Sequence, residues 1–589
     1  MTLSLSPSRW SLEDLLPTPV EQSLEAKLSE LESVVKALEA DRKRLSDEIL
    51  EADFLEILGR YEKLHQVSQI LGAYAYLYVS EDVQNLAALN LRDRIDQALT
   101  DADNRTLYFS LWFRELTDEV AMRLIQTSGN LRYFLESLRR FKPYTLSESE
   151  EKIINTKDVN GVDALVGIYD MIVDRFAFTL EVDGERKVLT RDELGAYTRH
   201  PKAEMRQAAY QELFRVFVDH STLLAQIYNH RVRDWHDEAL EMRGYRSPIS
   251  VRNLANDLPD QVVDTLLEVC RQNVGLLQRY FKLKAGWVGM EKLRRYDIYA
   301  PLAASDKTFE YAQAVDMILD SFRAFSPAFA DQAWCLFREN HLDSESRPGK
   351  RGGAFCYTTL PGATPFVLVN YARRARDVAT LAHELGHAIH SMQYSGEDSL
   401  VQHAAMPLAE TASIFGEMLL VDRLIQEETD LAVRRDLLAY TIDDAYASIQ
   451  RQAYFALFER QAHDMIGKGQ TIEELCTAYR FNLEEQFGDA IELSDEFQWE
   501  WITVPHFLHA PFYTYAYSFG QLLVLALYQQ FRKDGAGFIP RYLKILSYGG
   551  SESPAVILSE AGLDITQPEF WQGGFDVLKG MIEELIHIS

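Results

Sequence analysis

The chain has 589 residues, 47% of them apolar, with 89 acidic against 60 basic side chains and a formal net charge of −29. That length calls for two or three domains around a large core. A surface so acidic repels phosphate backbones, which removes nucleic acid from the expected partners.

The opening MTLSLSPSRWSLEDLLPTP lacks the basic stretch and apolar core of a secretory signal. No apolar run approaches the ~18 residues of a membrane span. Cys270, Cys335, Cys356 and Cys476 stand far apart with no CxxC pair, so a reducing compartment is expected rather than a disulfide framework. Together these point to a cytoplasmic protein with no membrane partner. Residues 21–59 place Leu, Glu, Ala and Lys at helical spacing and predict long amphipathic helices folded as a hairpin. Helical patterning continues through YEKLHQVSQILGAYAYLYV and LRYFLESLRRF to about residue 175.

Residues 176–192 then alternate apolar and polar side chains around Asp183-Gly184, a β-hairpin signal. A soft boundary near residue 190 divides an N-terminal helical region, 1–190, from a second region, 191–589. Within the latter, 347–377 breaks the helical rhythm: glycines and a Pro-Gly turn flank two β-rich runs, 354–360 and 365–370. The fold class expected is mostly α, with a small β-sheet directly upstream of a distinctive helix.

That helix carries TLAHELGHAIHS, residues 380–391. Residues four apart share a helical face, so His383 and His387 can aim imidazoles at one cation. Glu384 lies about 100° round the axis, within reach of water at the ion without occupying a coordination position. Two histidines and a glutamate in so apolar a run are costly unless a metal satisfies them. A catalytic zinc usually takes three protein ligands. The metzincin pattern needs glycine at 389 and histidine at 393, where Ile389 and Gln393 stand. A downstream glutamate is the other common solution, and HAAMPLAETASIFGEMLLVDRLI supplies Glu410, with Pro407 at an early helical position and Ser413 and Glu417 on the same face. Glu417 is expected to support a ligand histidine, and His390 to be a satisfied buried side chain.

LAHELGHAIHS followed twenty-three residues after His387 by AETASIFGE resembles the thimet-oligopeptidase family, particularly its oligoendopeptidase F branch. RRYDIYAP, GKRGGAFCYTTLPGATPFVLVNY and VPHFLHAPFYTYAYSFGQ agree, and the resemblance spans residues 190–589. It implies a two-lobed helical zinc metallopeptidase, one Zn2+ per chain, whose deep channel admits short peptides. It also implies that a strand of Phe366, Val367, Leu368, Val369 and Asn370 pairs with the substrate backbone, a role open to any exposed strand edge. Gly352 and Gly353 would let a peptide approach closely, or merely shape a turn.

A His/Tyr cluster closes over the zinc in that family, and HFLHAPFYTYAY offers His506, Tyr513 and Tyr517 as donors to the oxyanion that amide hydrolysis builds. The expected activity is endopeptidase cleavage of internal bonds in short peptides, with water activated by zinc and Glu384. An exopeptidase of the same fold, or a helical interaction protein with structural zinc, are the alternatives. Side-chain preference and oligomeric state are not legible.

Overall fold

The computed structural model describes residues 5–302 and 308–588. The chain is 71% helical, and its described strands form two 2-stranded sheets and one 3-stranded sheet. No described helix is long and apolar enough to cross a membrane. Packing gathers the chain into two compact units, Met1–Lys142 with Lys307–Arg423 and Gln530–Leu563, and Pro143–Asp306 with Leu424–Gln529 and Asp564–Ser589. Residues 191–589 thus contribute to both.

The first unit begins with the helical hairpin α1 (Val20–Asp41) and α2 (Glu51–Glu81), joined by α3 (Leu86–Thr106). Leu24, Leu31, Val35 and Leu38 recur on one face of α1 and are buried, each contributing ~1.5–3 kcal/mol of apolar transfer. α2 runs well past residue 59 because the apolar spacing of YEKLHQVSQILGAYAYLYV continues unbroken. Phe54, Ile57, Leu64, Val67 and Leu71 of α2 build one core that extends to Phe366 and Leu368.

Those last two belong to the 3-stranded sheet: β1 (Leu342–Asp343), β2 (Phe355–Tyr357) and β3 (Phe366–Leu368). β3 is central, parallel to β1 and antiparallel to β2. β1 has only two residues and so no periodicity that a sequence could display. Lys350 fixes the chain between β1 and β2: its fully buried ammonium lies 2.8 Å from Asp343 Oδ1. It also donates to the carbonyls of Asp343, Glu345 and Val369 at 3.0, 2.9 and 2.8 Å. A buried charge is tolerable when its protons all find acceptors.

After β3, Asp377 Oδ2 accepts the Ala372 and Arg374 N–H groups at 2.8 and 2.9 Å, starting α4 (Ala375–Gln393). α4 buries Val378, Leu381, Ala382, Leu385, Ala388 and Ile389, and α5 (Ser413–Glu427) follows.

In the second unit, strands Phe178–Val182 and Glu185–Leu189 pair with Val182 opposite Glu185. Asp183 and Gly184 form the turn at φ 53° and 83°, the left-handed pair a two-residue type I′ hairpin needs. Further along lie α6 (Arg451–Gly467), α7 (His506–His509) and α8 (Tyr515–Asp534). The buried Glu500 carboxylate is held by Arg295 at 2.7 Å, Arg451 at 2.9 Å and Tyr479 at 3.0 Å.

His463 on α6 is buried with neither ring nitrogen hydrogen-bonded among the described residues. Burial first, then the charges of Arg231 and His236, pushes its pKa down to about 3. An unfolded imidazole titrates near about 6.5. Between those values the unfolded chain binds a proton that the folded chain refuses, so stability falls as pH drops through that window, by up to ~1.4 kcal/mol per pH unit. His463→Phe is expected to flatten this loss between pH 7 and 5 in denaturant titrations; slopes matching the parent would show that another group causes it.

Candidate metal centre and active site

On α4, His383 and His387 stand one turn apart with ring centroids 4.9 Å from each other. Both present Nε2 to Glu410 Oε2, at 3.3 Å each. Among the described residues these three form the one group of His, Cys, Asp or Glu side chains placed to hold a metal ion, their donor atoms all within 4.8 Å. Glu410 does not lie on the helix, as its spacing from Ser413 and Glu417 predicts. Pro407 falls in a short 3-10 turn, Met406–Leu408, and α5 starts only at Ser413. The Ser413 hydroxyl donates to Glu410 Oε2 at 2.6 Å and fixes the carboxylate. On α5, Glu417 Oε2 lies 3.4 Å from His383 Nδ1, the nitrogen facing away from Glu410. That contact sets the ring's orientation.

Burial alone would keep His383 neutral, but the Glu410 and Glu417 carboxylates outweigh it and push its pKa up to about 10. Burial likewise opposes charge on Glu410, yet the two imidazoles hold its carboxyl far below the usual carboxylate range. The cluster therefore favours a positive charge at its centre. Two imidazole nitrogens and one carboxylate oxygen are the donor set of a catalytic zinc with a position left open, and the residues fit a divalent cation.

A cavity of about 380 Å³ opens onto this cluster, lined by Ala354, Phe355, Cys356 and Thr358 on one side and by Glu384, His390, Gln402 and His403 among others. Glu384 is 6% exposed, and burial raises its pKa, with the two imidazoles acting in the opposite sense. Burial, helped by the neighbouring His387, pushes His390 down to about 4, which leaves it a neutral interior histidine. Cys356, Gln402 and His403 had no motif to single them out; only the β-rich character of 354–360 placed a strand here.

The strand expected to meet substrate is corrected by the sheet order. Phe366, Val367 and Leu368 occupy the central strand, paired on both edges and at most 1% exposed, so their ladder groups are already used. Val369 is buried as well, its carbonyl taken by Lys350. Asn370 instead donates to the carbonyls of Arg351 and Gly353, at 3.0 Å each. The edge strand beside the cavity is β2. Gly353 adopts φ 78°, a left-handed turn that favours glycine, while Gly352 has open space beside it.

In the second unit, His506 Nε2 lies 3.1 Å from the Tyr517 hydroxyl. Tyr513 and Tyr517 pack edge to face at 5.2 Å, and Tyr513 stacks parallel to the His506 ring at 6.1 Å. Tyr515 is buried and accepts a hydrogen bond from Asn256 at 2.9 Å.

A family model described as Peptidase family M3 matches residues 196–577, and one described as Oligopeptidase F matches 112–178. The chain belongs to peptidase family M3. Relatives of this M3 chain include Oligopeptidase PepF of Bacillus subtilis, 24% identical over 587 residues that span 98% of this chain and 86% of that one. An Oligoendopeptidase F homolog of Borreliella burgdorferi is 27% identical over 549 residues, 90% of each chain. Among solved structures, one from Chlamydophila abortus superposes with a TM-score of 0.89 at 24% identity, covering 100% of this chain and 99% of that one. Oligoendopeptidase-F from Enterococcus faecium superposes at 0.73 with 22% identity, covering 96% and 99%. M3 membership makes the protein a metallopeptidase that cleaves peptides.

Between the two histidines of this M3 peptidase, Gly386 lets the Glu410 segment approach α4 with no side chain intervening. A Cβ at Gly386 would sit 2.5 Å from the Ala412 carbonyl oxygen and 2.6 Å from Ser413 Cα. Both are backbone atoms that cannot swing aside. Gly386→Ala is therefore expected to displace Glu410 and weaken metal binding by ~10–100-fold, measured by chelator competition, with helicity retained. An unchanged affinity would mean the segment has slack that these contacts do not allow.

Proposed function

We propose that this M3 peptidase is a zinc-dependent endopeptidase that cuts internal bonds of short peptides. The observation that carries the reading is the convergence of His383, His387 and Glu410 within 4.8 Å, with Glu384 buried in the same cavity but outside the donor set. Relatives described as oligoendopeptidase F support internal cleavage. When bound, zinc supplies Lewis acidity toward a peptide carbonyl and lowers the pKa of water.

The remaining chemistry belongs to the chain. Glu384 takes a proton from the attacking water and returns it to the leaving nitrogen, and burial keeps its carboxylate basic enough for both transfers. His506 and Tyr517 donate to the developing oxyanion, with Tyr513 beside them. The β2 edge pairs with the substrate backbone and presents it to the cavity. Residues 191–589 carry this chemistry, and 1–190 form the N-terminal helical region. The protein acts in the cytoplasm.

Glu384→Gln is expected to keep stoichiometric metal while kcat falls by ~10²–10⁴-fold. Substantial residual cleavage would take the proton transfers away from Glu384. Removing the metal with a chelator should abolish turnover while leaving the helical signal; loss of the fold instead would favour a structural ion. Mass spectrometry of a digested peptide pool should find internal cuts, and stepwise trimming from one end would replace this reading with an exopeptidase. In a peptide series N-methylated at one backbone position at a time, two or more positions near the cut should lose binding through lost ladder bonds. Uniform tolerance of N-methylation would rule out edge pairing.

A further inference from the structure

The turn between α7 and α8 separates His506 from Tyr517, and its backbone is not one its sequence prefers. Phe512 adopts φ 60°, a left-handed value that a bulky side chain rarely takes, and it is fully buried. Three ionisable side chains from elsewhere in the same unit hold this turn by its main chain. Arg231 Nε donates to the Leu508 carbonyl at 3.1 Å, and Arg252 Nε to the Pro511 carbonyl at 3.1 Å. Glu459 Oε1 accepts the Phe512 N–H at 2.8 Å.

Glu459 is the unusual member. It lies on α6 with 0% exposure, where an acid is costly unless it meets a specific need. Its Oε2 has no hydrogen-bond partner among the described residues, so the Phe512 amide is what its carboxyl serves. Burial raises its pKa well above the usual carboxylate range, against the charges of Arg252 and Arg231. Directly after Phe512 the chain turns into α8, with the Tyr513 N–H on the Ala510 carbonyl and the Ala516 N–H on the Tyr513 carbonyl. The angle of the Phe512 peptide therefore sets where both phenols stand.

We propose that Glu459 is a positioning residue for peptide cleavage: by anchoring the Phe512 amide in its left-handed turn, it holds Tyr513 and Tyr517 beside His506. This rests on the reading that Tyr517 acts on the reacting carbonyl.

The test compares Glu459→Leu, Glu459→Gln, Tyr517→Phe and the Glu459→Leu/Tyr517→Phe double variant as full-length, metal-loaded protein, with kcat and KM measured on a fluorogenic peptide. Tyr517→Phe is expected to lower kcat by ~10²-fold. Glu459→Leu should lower it by a comparable ~10²-fold through misplacement, with KM and metal content nearly unmoved. Glu459→Gln should recover most of that loss, since its amide oxygen accepts the same N–H. The double variant should be no slower than Tyr517→Phe alone.

A full-speed Glu459→Leu, losses that multiply in the double variant, or a Glu459→Gln as slow as Glu459→Leu each overturn the positioning role alone. A full-speed Tyr517→Phe overturns the reading beneath it and the inference with it. Should Glu459→Leu fail to fold, hydrogen exchange on the unaltered protein decides: the Phe512 amide must exchange slowly, and fast exchange overturns the proposal.

Discussion

Two imidazoles on successive turns of a helix can share a cation with a carboxylate from another segment when that segment packs closely against the helix. In this protein the two backbones meet at Gly386, where the Ala412 carbonyl and Ser413 Cα fill the space that a methyl group would need. Around that contact, Ser413 steadies Glu410 and Glu417 steadies His383.

The same device recurs elsewhere in the chain. Irregular segments are held by buried ionisable side chains bonded to main-chain groups rather than by apolar packing alone. Lys350 gathers three carbonyls behind the sheet. The buried Glu62 accepts the Ser399 and Leu400 N–H groups at 2.6 and 3.1 Å where the chain leaves α4. Arg231, Arg252 and Glu459 do the same for the turn before α8. A buried polar group is weak as a source of stability, but it is demanding about geometry, and it fixes the path of a segment that has no regular ladder of its own.

This distinction explains what the sequence could disclose. The convergence of His383 and His387 was legible because residues four apart on a helix share a face. Glu410 was legible as a residue but not as a conformation, since its approach is decided by Gly386 and not by local helical spacing. The hairpin at Asp183-Gly184 was legible because left-handed turns select those residue types. The central position of Phe366–Leu368 was not, because it depends on pairing with Leu342–Asp343, a strand too short to carry a pattern. Glu459 was not legible either: an acid in an amphipathic helix reads as solvated until its distant amide partner is known.

The edge position of β2 carries a consequence of its own. An edge strand can satisfy only a chain whose amides and carbonyls are unspoken for. A segment already engaged in a helix or sheet of its own offers nothing to pair with. A substrate pairing at this edge, as proposed, would be selected by the freedom of its backbone before the identity of its side chains.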